Sequence, residues 1–224
     1  HDFAHKLKPG GTLLVKDRLA LKVDLDETCK IYTYSLDYPE SDFSAENIEL
    51  IDGKYRFTLK SPFGKIENLV VGIPGLINVE NAVAASSMAL LAGAKGDEIR
   101  KALASFVGIR RRFDYRINNS GFAMIDDYAH HPEEIRATLK SVRALYPTKR
   151  VVAVFQPHLF TRTRDFASEF SESLELADEV VLLDIYPARE LPIQGVTSQI
   201  ILKDIKKVPA QIVSKESLSD TLLA

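Results

Sequence analysis

Short runs of apolar and β-branched residues separated by turn residues dominate the first part of the chain: Thr12-Leu13-Leu14-Val15, Lys30-Ile31-Tyr32-Thr33-Tyr34, Tyr55-Arg56-Phe57-Thr58-Leu59 and Leu69-Val70-Val71. Runs of this length and composition predict strands. Asp52-Gly53 stands between two of them and predicts a tight hairpin, with one strand over 47–51 and the next over 54–59. The period then changes. An alanine-rich stretch predicts a helix over 79–92, stopped by Gly93, and Asp97 is expected to cap a second helix running to Phe106.

The segment Gly108-Ile109-Arg110-Arg111-Arg112-Phe113 reads as a junction, which gives expected domains of 1–113 and 114–224. Beyond it, strands and helices alternate. Strands are expected at 122–125, 150–155, 179–183 and 210–213, with helices at 132–145 and 163–176 and a short one at 197–202. Strands alternating with helices imply an α/β fold, with a mainly parallel, Rossmann-like sheet in the second domain. The first domain is expected to hold mixed strands plus helices.

Composition narrows the classes without choosing among them. The chain has 224 residues, 46% hydrophobic and 27% charged, with a formal net charge of -2. That balance supplies no broad basic field for nucleic acid, and no apolar run reaches the roughly 20 residues of a membrane span. The start, His1 to Lys6, lacks the apolar core of a signal peptide. Cys29 is the sole cysteine, so no internal disulfide forms and a reducing compartment, the cytoplasm, is expected. The absence of an initiating Met and the ending at Leu222-Leu223-Ala224 read as a piece of a longer polypeptide. Oligomeric state is not legible.

Candidate chemistry gathers at the ends of predicted strands. Ile125-Asp126-Asp127-Tyr128-Ala129-His130-His131-Pro132 follows one apolar run. Phe155-Gln156-Pro157-His158, continuing to Thr161-Arg162-Thr163, follows the next, and Asp184-Ile185-Tyr186-Pro187-Ala188-Arg189-Glu190 follows a third. If these strands are parallel neighbours, all three loops lie at the carboxyl edge where open α/β sheets bind ligands. Arg162 suits a carboxylate and His158 a small polar substrate, whereas the plainer readings are structured loops, a helix cap with surface histidines and solvated arginines. Upstream, Asn78 and Asn81 share a helix face and either present amides to an adenine edge or, for Asn78, cap the helix. Arg110-Arg111-Arg112 either grips phosphate or forms a solvated linker. No metal site is expected, although Asp126, His130, His131 and His158 keep a metal hydrolase open as a rival. The chain contains no G-x-x-x-x-G-K-[ST] loop, no G-x-G-x-x-G fingerprint and no G-x-S-x-G elbow.

Taken in order, Asn78-Val79-Glu80-Asn81-Ala82, Arg111-Arg112-Phe113, Asp126-Asp127-Tyr128-Ala129-His130-His131-Pro132 and Phe155-Gln156-Pro157-His158 resemble the motifs of the Mur ligase family. The Gln156-Pro157-His158 loop points to its alanine-adding branch, with the muropeptide-recycling branch as runner-up. The resemblance departs at Ile77, where many members carry His, and at Leu159, where many carry Arg. It implies an ATP-dependent amide ligase that joins L-alanine to the carboxylate of UDP-N-acetylmuramate through an acyl phosphate in a bacterial cytoplasm. It further implies that Asn78 and Asn81 face adenine, that Asp127 binds ribose and that Arg112, with Arg111, approaches the terminal phosphate. Tyr128, His130, His158 and Arg162 would line the amino-acid cleft, with His130, His158 and Arg162 as the catalytic set. Mg²⁺ would be held mainly by residues upstream of this chain, as would the phosphate loop, so the chain alone is expected to be inactive. A nucleotide-binding module without catalysis is the alternative from another class.

Overall fold

The computed structural model describes residues 4–20 and 24–223. Part of the reading of the chain's start, and of its last residue, therefore lies outside the described residues. The described chain forms two compact units, His1–Ile109 and Arg110–Ala224. The arginine run belongs to the second.

The first unit is a five-stranded sheet in the order β1 (Thr12–Lys16), β2 (Lys30–Ser35), β3 (Phe43–Ile51), β4 (Lys54–Ser61), β5 (Gly64–Val70). The first three pair in parallel, whereas β3–β4 and β4–β5 are antiparallel. The hairpin expected at Asp52-Gly53 is present, with Ile51 opposite Lys54 and both turn residues at positive φ (49° and 75°). That conformation is cheap for Gly and tolerable for Asp. A second hairpin at Ser61–Gly64 extends the predicted strand at 69–71 back to Gly64. Here Ser61 Oγ donates to the Gly64 carbonyl and accepts the Phe63 amide, so a side chain closes the turn.

Helix α1 (Leu76–Leu91) buries Val79, Ala82, Val83, Ser86 and Ser87, the spacing of one helical face. It packs with Phe43, Phe57, Leu59 and Leu69 of the sheet. Helix α2 (Gly96–Ser105) starts two residues earlier than its acidic signal suggested. Lys95 is its N-cap, and Asp97 and Glu98 lie in the first turn, where Glu98 accepts the Lys95 amide at 2.7 Å. The acids thus serve the helix dipole and not the cap position.

The second unit departs from expectation in one respect that matters for the site. Its parallel sheet has three strands in the order β10 (Ala210–Ile212), β9 (Glu179–Leu182), β8 (Val152–Phe155). The strand at β7 (Ala123–Asp126) does not join it. It pairs antiparallel with β6 (Asp114–Asn118), an element the sequence reading passed over because its alternation is short and highly polar. Helix α3 (Pro132–Leu145) has the bounds predicted for it. The helix expected over 163–176 is two: α4 (Phe160–Asp165) and α5 (Ala167–Leu174). Phe166 breaks them at φ -121° and ψ 22°, with its ring edge-on to His131. Short helices α6 (Gln199–Leu202) and α7 (Leu218–Leu223) complete the unit. Its core is Phe170, Leu174, Val180, Leu182 and Ile201, packed with Ile135 and Leu139 of α3.

Candidate functional site

The three loops that the sequence placed after strands come together within the second unit. The loops after β8 and β9 run side by side. Leu159 donates its amide to the Tyr186 carbonyl (3.0 Å), Tyr186 donates to Pro157 (2.8 Å), and Gln156 Nε2 donates to the Asp184 carbonyl (3.0 Å). The His158 ring stacks on Tyr186 at 5.2 Å. The loop after β7 reaches the same place although its strand lies in another sheet, because His130 sits 6.5 Å from His158, ring to ring, and 5.1 Å from Tyr128. Tyr128, His130, His158 and Tyr186 therefore form a row of rings, with the Arg111 guanidinium 4.8 Å over the Tyr128 ring at its end.

The loop after β7 is held by its own carboxylates. Asp127 accepts the Phe113 amide through one oxygen and the Ala129 amide through the other, both at 2.8 Å. Tyr128 donates its amide to the Arg111 carbonyl at 2.6 Å. These bonds fasten the loop to the arginine turn, where Arg111 and Phe113 both have positive φ (61° and 51°). Such conformations are costly for side-chain-bearing residues and persist where surrounding bonds over-determine them.

Glu134 does the same from helix α3. It lies three residues after the N-cap His131 and accepts the His130 and His131 amides at 2.9 and 3.2 Å. Burial alone raises its carboxyl, but those amides and the charges of His130 and Arg112 outweigh it, so Glu134 stays below the usual carboxylate range.

The two adjacent histidines diverge. His131 turns its ring to Phe166 (4.8 Å). His130 Nδ1 lies 2.8 Å from the Tyr128 carbonyl. A carbonyl only accepts, so Nδ1 carries a proton. Burial pushes the His158 imidazole below its ordinary value; the Arg162 and His130 charges add to this and Glu190 opposes it. His158 is therefore neutral near pH 7. Arg162, beside it, buries Nη1 without a hydrogen-bond partner, and among the described residues it makes no ion pair. A buried guanidinium nitrogen left open is unusual and suits an incoming anion.

A cavity of about 390 Å³ lies beside this row, lined by Arg110, Arg111, Arg116, Asp126, Asp127 and Val154. Its arginines suit a phosphate-bearing ligand. Arg112 is exposed. In the first unit, Asn78 is not the N-cap of α1; Gly75 is. The Asn78 side chain donates to the Pro74 carbonyl at 2.5 Å, and Asn81 Nδ2 lies 3.5 Å from Asn78 Oδ1, which leaves the Asn81 oxygen open. Among the described residues no three His, Cys, Asp or Glu side chains gather to hold a metal. Among the described residues no helix is long and apolar enough to cross a membrane.

Sequence reasoning placed Glu134 in the first turn of a helix and Glu190 in the third loop but gave neither a role at the site. The first was legible as an acid three positions after an N-cap. The second acts on residues 29 positions away in sequence, a contact that no local signal announces.

The family described as "Mur ligase, glutamate ligase domain" matches residues 111–223. A protein of Phocaeicola vulgatus named UDP-N-acetylmuramate–L-alanine ligase is 47% identical over 96% of this chain and 47% of its own length. One of the same name from Parabacteroides distasonis is 45% identical over 99% of this chain and 48% of its own. The chain thus spans about half the length of the curated relatives it matches. Among solved structures, the UDP-N-acetylmuramate-alanine ligase of Thermotoga maritima superposes with a TM-score of 0.70 at 24% identity, over 86% of this chain and 41% of that one. Folylpolyglutamate synthase of Mycobacterium tuberculosis complexed with ADP shares the fold, with a TM-score of 0.68 at 17% identity over 86% of this chain and 41% of that one.

Proposed function

Because the chain belongs to the Mur ligase family, we propose that it is part of a cytoplasmic, ATP-dependent ligase that joins L-alanine to the carboxylate of UDP-N-acetylmuramate in peptidoglycan precursor synthesis. The reading assigns 1–113 to the end of the central ATP-binding domain and 114–224 to the amino-acid-binding domain. The observation that carries it is the open, buried nitrogen of Arg162 beside His130 and His158, in a chain so similar along nearly its whole length to relatives of that name.

The chemistry follows from what each side chain can do. ATP phosphorylates the muramate carboxylate, and the alanine amine displaces phosphate from the acyl phosphate. Arg162 holds the alanine carboxylate in a charge-assisted pair. Neutral His158 faces the amine without adding a competing positive charge, and the His130 ring stands beside it. Tyr128 lines the same wall. Asp127 meets the ribose with the lone pairs that its two amide bonds leave over, and Arg112, with Arg111, meets the terminal phosphate. In the first unit Asn78 and Asn81 serve adenine. Catalysis of this kind rests on positioning and charge, with no covalent enzyme intermediate.

The test is the protein expressed from its complete reading frame. ADP release that requires both UDP-N-acetylmuramate and L-alanine supports the reading. Release with a preformed peptide and not with alanine would assign the chain to the recycling branch, and ATP binding without turnover would make it a non-catalytic module. The 224-residue chain by itself is expected to show no turnover, because its sequence contains no phosphate-cradling loop.

A further inference from the structure

Helix α4 (Phe160–Asp165) carries Arg162, yet nothing local secures its start. Its N-cap is Leu159, whose side chain has no acceptor and whose φ is 74°, a conformation that strains a leucine. The first amides of a helix have no intrahelical partner. The missing acceptor comes from the loop after β9. Glu190 Oε2 accepts the Thr161 amide at 2.9 Å, and Oε1 accepts the Thr161 hydroxyl at 2.5 Å. These hydrogen bonds hold the Glu190 carboxyl below its ordinary range, and the nearby Arg162 charge adds to that.

The arrangement is selective. Glu190 is close enough to Arg162 for the charge to be felt, but among the described residues it forms no ion pair with it. Its oxygens are committed to Thr161, one residue before Arg162, and Nη1 of that arginine stays open. A carboxylate that neutralised Arg162 directly would block the anion site. One that caps the helix fixes the arginine's base and leaves its head available. The same loop holds Leu159 through the Tyr186 carbonyl at 3.0 Å, and Thr163 Oγ1 donates back to the Leu159 carbonyl at 2.7 Å. The strained residue is thus clamped from both sides.

We infer that Glu190 is a positioning residue: by capping α4 from the neighbouring loop it aims the Arg162 guanidinium at the carboxylate of the incoming amino acid. This rests on the ligase reading above. The test is steady-state kinetics of the full-length enzyme with Glu190→Ala, Glu190→Gln and Thr161→Val. Losing a charge-assisted bond corresponds to about 10- to 100-fold, so Glu190→Ala is expected to raise the KM for L-alanine by that factor. The KM values for ATP and UDP-N-acetylmuramate should hold within about twofold, and Glu190→Gln, which keeps one acceptor oxygen, should fall between. The double variant Glu190→Ala/Thr161→Val should be no worse than the poorer single variant, because both remove one interaction.

Equal rises in all three KM values, an unchanged KM for alanine, or additive effects would overturn the inference. If Glu190→Ala fails to fold, Glu190→Gln and Thr161→Val carry the same comparison. A wild-type enzyme without alanine-dependent turnover would sink the ligase reading alone. Amide exchange at Thr161 in the 224-residue chain then decides the positioning role: faster exchange in Glu190→Gln supports it, and equal exchange refutes it.

Discussion

Asp127 is the residue on which a structural and a ligand-binding role can be separated by measurement. Its carboxylate ties the Phe113 and Ala129 amides at 2.8 Å each. Hydrogen bonds to a charged acceptor contribute about 1.5–3 kcal/mol each, so two sum to about 3–6 kcal/mol where fully shielded. Asp127 is half-buried, which lowers that figure through solvent competition. Replacement by alanine also lets Phe113 relax from its φ of 51°, returning about 1 kcal/mol of strain. The net expectation for Asp127→Ala is a loss of about 2 kcal/mol from the second unit. Asp127→Asn, which keeps one acceptor oxygen, should lose about half as much. The assay is native-state amide exchange at Phe113, Ala129 and Tyr128 in the 224-residue chain across low urea concentrations, which reports this unit separately from the first. A change under about 0.5 kcal/mol for Asp127→Ala would refute the reasoning and leave the carboxylate to a ligand alone.

Three further outcomes are expected. Arg162→Ala should raise the pKa of His158, since the Arg162 charge is one cause of its depression; NMR titration of the imidazole reads this, and an unchanged midpoint would count against it. Asp178 is held down to about 2 by the Arg143 guanidinium and the Val151 amide. A carboxyl depressed in the folded state stabilises above its unfolded value near 3.8, and that contribution is lost as pH falls through the folded value. Because the side chain is 45% exposed, screening leaves about 1 kcal/mol. Stability of Asp178→Asn should therefore change less than wild type between pH 4 and pH 2 in urea unfolding, and parallel curves would be the wrong result for this account. A Cβ on Gly72 would meet the Phe106 carbonyl at 2.3 Å, so Gly72→Ala should cost the first unit about 1–3 kcal/mol. Denaturation without a shift would show that the strand end yields freely.

Most elements were legible because their causes are local. The apolar and β-branched runs at β1, β2 and β4, the Asp52-Gly53 turn and the proline with two acids opening α3 each declare themselves within a few residues. Where local causes compete, the reading slipped. Asn78 looks like a cap, but Gly75 takes that position and the asparagine bonds Pro74 instead. The stretch 163–176 looks like one helix, but Phe166 leaves the helical region with its ring against His131.

The side chains on which the proposed chemistry rests were visible as residue types at strand ends. The sequence itself determined that Asp127, Tyr128, His130 and His158 would stand in loops after apolar strands, because apolar runs and turn residues set strand ends by local physics, whereas Arg162, expected in the second of those loops, stands on helix α4. Only the tertiary structure decided that β7 leaves the parallel sheet while its loop still reaches His158, that His130 and not His131 turns toward it, and that Glu190 caps the helix bearing Arg162. Those outcomes depend on which backbone amides find acceptors far away along the chain. Pairing of that kind is settled by packing in three dimensions and leaves no period in the text.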